Sequence, residues 1–118
     1  MEATAKTTVA KEDYTAVDVR ELVMKESAFK GQRVRLSGSI LDCQSGNDSS
    51  FLLMHVPAMG QAESGEEIIA TYQGHLERLP RGTKATLWGV SDGLQIITQA
   101  RCCGITVRPQ IKVEILEW

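Results

Sequence analysis

The stretch FKGQRVRLSGSILDCQ, Phe29 to Gln44, decides the fold. In it Val34, Leu36 and Ile40 fall on one side of an extended chain, and Arg33, Arg35, Ser37 and Ser39 on the other. That is the period-two pattern of a half-buried strand. Gly38 stands in the inner row where a side chain belongs, and a glycine inside a strand marks a bulge or sharp coil that lets a sheet curl on itself. Beyond it Leu41 and Cys43 are apolar on the formerly polar side, as expected of a strand that bends from one sheet into another. The basic residues Lys30, Arg33 and Arg35 at the start of this strand admit two readings: the rim of a nucleic-acid groove, or an outer row kept wet by charge.

Upstream, residues 1–13 are small, polar and charged without a period, which predicts a disordered or loosely docked leader before a domain spanning 14–118. Asp18 with Glu21 three positions on has the form of a capping box, and Val19, Leu22 and Val23 then share a helical face. A helix of about two turns is expected from Asp18, ending before Phe29 and Gly31. Downstream, QSGNDSS reads as a turn and FLLMHV as a second strand stopped by Pro57. PAMGQAESGEE reads as a surface loop, and EIIATYQG as a third strand with Ile68, Ala70 and Tyr72 alternating against Ile69 and Thr71. HLERLPRG bridges onward, with Leu76 and Leu79 spaced as one helical turn, to a fourth strand, TKATLWGV, that carries Gly89 late in its run. SDG has a tight-turn composition, and LQIITQ after it most simply pairs back as a hairpin. QIKVEILEW is the last strand, with Ile111, Val113 and Ile115 on one face and Pro109 expected before it or at its edge.

One short amino-terminal helix and five main strands, with no helices interleaved to support a parallel sheet, predict an all-β fold. Glycine-bent first and fourth strands, with a short connection between the third and fourth, give a five-stranded OB-fold Greek-key barrel with an extra hairpin before the last strand. A sandwich would show more short strands. The segments DVRELV, FKGQRVRLSGSI, IIATYQG, LPRGTKATLWGV and GITVRPQIKVEILEW, in this order, resemble bacterial OB-fold domains of the tRNA-anticodon-like class. The versions they look most like occur in exported proteins and lipoproteins of poorly known function. The resemblance covers roughly Asp18 to Glu117 and implies the fold, an extracytoplasmic location with a cytoplasmic one still open, and no catalytic set.

The chemistry-bearing residues point to few activities. Thirteen basic against fifteen acidic side chains, with a pI near 5.7, give no general attraction to phosphate backbones or anionic lipid. No apolar run reaches the roughly 18 residues of a membrane span, and MEATAKTTVA lacks the apolar core of a secretory signal. Three cysteines, Cys43, Cys102 and Cys103, leave one unpaired if every bridge is internal, and buried thiols are the expected state. His55 and His75 lie in no C-x-x-C or H-x-x-x-H spacing, so neither a metal nor any other cofactor is expected. There is no G-x-S-x-G elbow and no phosphate loop around Gly60 or Gly65. Glu66 and Glu67 are sequence neighbours that a strand would divide between its faces, unlike an acid/base pair. Asn47–Ser49 matches a glycosylation acceptor pattern and reads as an exposed turn.

A non-enzymatic binding module is the expected function, its ligand a protein, peptide or oligosaccharide lying across the second and third strands and the loops at 44–50 and 91–104. Arg35, Phe51, Met54 and Tyr72 are the expected contacts. Single-stranded nucleic acid on the same face is the alternative, and the acidic balance argues against it. Self-association through a barrel edge is a further alternative, and the oligomeric state is left open.

Overall fold

The computed structural model describes residues 2–4, 10–58, 61–98 and 105–118. Glu2–Thr4 form β1 and Thr15–Ala16 form β2, with a 3-10 turn at Lys11–Asp13 between them. Two short helices follow, α1 at Val19–Met24 and α2 at Glu26–Phe29. Asp18 caps α1 as its sequence position predicts, its carboxylate accepting a bond from the Arg20 amide at 3.2 Å. The chain breaks at Lys25, so the expected single helix is two. Five long strands complete the chain: β3 at Arg33–Ser45, β4 at Ser49–Ala58, β5 at Gln61–Gln73, β6 at Lys84–Thr98 and β7 at Ile105–Glu117.

These five close into a barrel. β3 pairs β4, β4 pairs β5, β5 pairs β7, β7 pairs β6, and β6 returns to β3; the β5–β7 seam alone among them is parallel. This is the OB-fold Greek key, with β1 added along β7 and β2 along β3. Leu36, Ile40, Leu52, Met54, Ile68, Leu87, Ile111 and Leu116 fill the interior, and Val19 and Leu22 of α1 complete the same core from beside β4, β5 and β7.

Glycine permits the curvature. A Cβ at Gly38 would stand 2.2 Å from the His55 carbonyl oxygen, and one at Gly89 would stand 2.3 Å from that of Lys112. Only hydrogen fits where the strands cross so closely. Immediately past Gly38 the β3–β4 register slips between Ile40 and Asp42. This bulge at Leu41 moves the buried row of β3 from even-numbered residues to Cys43.

Several local expectations change. Pro57 does not stop β4, which runs to Ala58: β3 makes its last pair with β4 at His55, so proline sits where one edge is already free. The loop expected after Pro57 is mostly strand, with β5 starting at Gln61 and Gly65 passing beneath the Val56 carbonyl. Residues 74–83 form no helix, yet Leu76 and Leu79 still enter the core. The Ser91–Gly93 segment does not reverse the chain; it is an irregularity within β6, with Gly93 at φ +80. The extra hairpin is instead the distal arm of β6 and β7, where Leu94–Thr98 pair with Pro109–Ile105. Pro109 is therefore inside β7, beside the break in the β6 ladder and one residue before pairing with β5 begins. Of the leader, Glu2–Thr4 are docked on β7, and Lys11 binds both Glu2 and Glu117. Cys43 is a buried free thiol; Cys102 and Cys103 lie outside the described residues.

Candidate binding face on the barrel

Register places the outward side chains of four strands in rows. One row runs Gln44, Phe51, Thr71, Lys112, and the next runs Asp42, Leu53, Ile69, Gln110. Ser39, His55 and Glu67 form a third. At the centre lie Phe51, which is 46% exposed, half-buried Leu53 and the edge of Ile69. An apolar centre inside a polar border is the layout of a protein interface.

The charges on this face balance. Asp42 and Glu67 stand against Arg108 and Lys112, and the Arg108 guanidinium meets the Glu67 carboxylate at 2.7 Å. Lys112 approaches Asp92 at 3.8 Å. Such half-exposed pairs fix side chains more than they stabilise the fold.

Of the four residues expected to make contacts, Phe51 alone stands out on this face. Met54 is fully buried, pointing into the barrel, and Tyr72 is 7% exposed as part of the same core, although it borders a cavity at the end of the β5–β7 seam. Burial lifts the Tyr72 phenol above its ordinary value. Arg35 is exposed but faces another way: it pairs with Trp88 and Ala16, nine residues before Gln44, roughly 30 Å of strand at about 3.3 Å per residue. The basic residues at the start of β3 therefore do not converge on Phe51. Arg33 instead approaches Glu114 at 3.9 Å, and Glu114 accepts a 2.8 Å bond from the Tyr14 hydroxyl.

Leu53 was not singled out because FLLMHV is apolar on both faces, so its own pattern cannot assign inside and outside. The signal lay in the neighbouring strand, where polar Thr71 and Gln73 mark the outer row and make Tyr72 inward. His75 holds the β3–β4 turn, its Nδ1 2.9 Å from the Gly46 carbonyl oxygen. Among the described residues no three His, Cys, Asp or Glu side chains gather as a metal-binding group. No helix among them is long and apolar enough to cross a membrane.

Comparison with known proteins bears on the fold. No protein-family model and no curated protein sequence matches this chain. Solved structures do: a protein from Leishmania major Friedlin assigned as an aspartyl-tRNA synthetase superposes over 97% of this chain with a TM-score of 0.60 at 9% identity. The aspartyl-tRNA synthetase of Entamoeba histolytica superposes over 90% with a TM-score of 0.57 at 12% identity. The chain spans only 22% and 21% of those proteins. At such identities the likeness is one of fold: this chain has the OB barrel found within two aspartyl-tRNA synthetases.

Proposed function

We propose that this chain is a non-enzymatic binding module that takes a protein or peptide segment on the outer face of β4, β5 and β7, centred on Phe51. The observation that carries this reading is the exposed Phe51 with Leu53 and Ile69 inside a ring of balanced charge. Aromatic anchors in a desolvated centre supply most of the energy of protein interfaces, whereas a polyanion needs an excess of cations to release its counterions. Photo-crosslinking from a benzophenone side chain placed at Leu53, compared with one at Arg35, tests it. Protein adducts at Leu53 and none at Arg35 are expected; equal labelling at both positions would remove the face.

The shared barrel of the aspartyl-tRNA synthetases supports a second reading, in which Phe51 is a stacking platform for a base and Lys112 neutralises a phosphate. It predicts affinity for single strands that falls steeply with salt. Titration with mixed-sequence RNA at low salt separates the two. Saturable binding lost in Phe51→Ala would put nucleic acid first.

A further inference from the structure

The parallel pairing of β5 with β7 ends at Tyr72 and Val113. There a cavity of about 460 Å³ opens, a size within the range of small-molecule sites. Val90 and Val113 give it apolar surface, and Gln73, Lys112 and Glu114 line it as well. Tyr72 borders it with 7% of its surface exposed, and its hydroxyl has no hydrogen-bond partner among the described residues. A phenol is protonated at neutral pH, and burial raises this one further, so it can donate.

The electrostatics select the ligand. The nearest carboxylate to the Lys112 ammonium is Asp92 at 3.8 Å, an ion pair too long to be a hydrogen bond. Glu114 is the acid of the lining, and its Oε1 faces Tyr14 and Arg33, neither of which borders the cavity. Lys112 is the one cation of the lining, and the Tyr72 and Ser49 hydroxyls can donate, while that of Thr71 is engaged with the Ile111 carbonyl at 3.4 Å. This set with apolar walls suits a monoanion with an apolar body better than a dianion, which Glu114 would repel.

We propose that this cavity binds a small organic carboxylate, its oxygens received by the Lys112 ammonium and the Tyr72 hydroxyl and its apolar body packed on Val90 and Val113. The test is a titration of the isotope-labelled protein with benzoate and 3-phenylpropionate, followed by amide resonances, with benzamide and inorganic phosphate as comparison ligands. Saturable shifts centred on Gln73, Lys112 and Val113 are expected with at least one of the carboxylates. Benzamide should bind about tenfold more weakly, because a hydrogen bond to a charged group is stronger than a neutral one by about that factor. Tyr72→Phe keeps the ring and removes the donor; Lys112→Met keeps the stem and removes the charge. Each should weaken the carboxylate about tenfold. Absence of saturation with both carboxylates, affinity unaltered in both variants, or phosphate binding as tightly as the carboxylates would each overturn the site. Phe51→Ala should leave carboxylate affinity unaltered, so this site and the Phe51 face can fail independently.

Discussion

Replacing Gly38 by alanine attacks the bend on which the candidate face depends. The added Cβ would lie 2.2 Å from the His55 carbonyl oxygen, 3.0 Å from its carbon and 3.1 Å from the Val56 Cα. All three are backbone atoms of β4, so no side-chain rotation relieves the contact. Ordinary van der Waals separation requires the strands to part by about 1 Å, breaking the His55–Ser39 end of the β3–β4 ladder. Overpacking that side chains can absorb costs about 1–3 kcal/mol, so a clash confined to backbone should cost about 3 kcal/mol or more. With an unfolding entropy of about 2.1 cal/mol/K per residue, the 118 residues give roughly 0.25 kcal/mol/K. The expected fall in Tm is therefore on the order of 12 °C, measured by circular dichroism or calorimetry. Gly82→Ala is the control: its φ is +90 but nothing lies within 4 Å of the added carbon, so only the left-handed backbone penalty of about 1–2 kcal/mol applies. Gly38→Ala melting within about 3 °C of the parent, or less destabilised than Gly82→Ala, would refute the close crossing of β3 over β4.

Other expectations follow from burial and charge. Met54→Ala should cost about 2–5 kcal/mol in urea denaturation, and Phe51→Ala about 1 kcal/mol or less, because the first empties the core and the second trims an exposed ring. The Ser50 hydroxyl, fully buried, donates to the Gly74 carbonyl at 3.0 Å and accepts from the Leu76 amide at 3.1 Å. Ser50→Ala strands both backbone groups and should cost about 1–3 kcal/mol by the same measurement, whereas Ser37→Ala on the surface should cost little. Docking of β1 should depend on pH at both ends. Hydrogen bonding and attraction from Lys11 lower the Glu2 carboxyl below its ordinary 4.5, so its contribution is present above that value and lost as pH falls through the folded one. Hydrogen bonds from Glu117 and Glu2 raise the Lys11 ammonium above 10.5, so its contribution is present below that value and lost as pH rises through the folded one. The Trp88 indole resonance, 4.5 Å beneath the Lys11 ammonium, should report both transitions.

The fold was legible where one residue type forced one geometry. Gly38 and Gly89 announced two of the close strand approaches, and the alternation of Ile68, Ala70 and Tyr72 oriented β5 correctly. The failures share a physical cause. Pro57 and Pro109 are breakers only where a strand is paired on both sides, and pairing is a property of the assembled sheet. Ser91–Gly93 has the composition of a turn, but the same residues serve a bulge when both flanking segments find partners on one strand. The expected contacts met a related difficulty. Met54 was offered as one although it points into the core, because an all-apolar run does not declare its inner face, and Tyr72 was offered although its own alternation with Ile68 and Ala70 puts it inside. Arg35 was grouped with Phe51 by fold analogy, and the coiling of β3 separates them.

Two apolar patches on the outside of the barrel contrast in a way that bears on function. Trp88 and Ile115 project outward from β6 and β7, but Tyr14 covers them and Lys11 lies over the indole, so Trp88 is only 8% exposed. The chain spends its own amino-terminal segment on that patch, with β1 and the Lys11 ion pairs holding it down. Among the described residues no such segment covers Phe51, which is 46% exposed. With half-buried Leu53 and the edge of Ile69 beside it, the Phe51 ring offers apolar area that a partner can cover. The covered patch thus shows what satisfies an apolar outer face on this barrel, an aromatic ring with a polar tip and a nearby charge. A partner for the Phe51 face needs the same features, with its charges set against Arg108, Glu67 and Lys112.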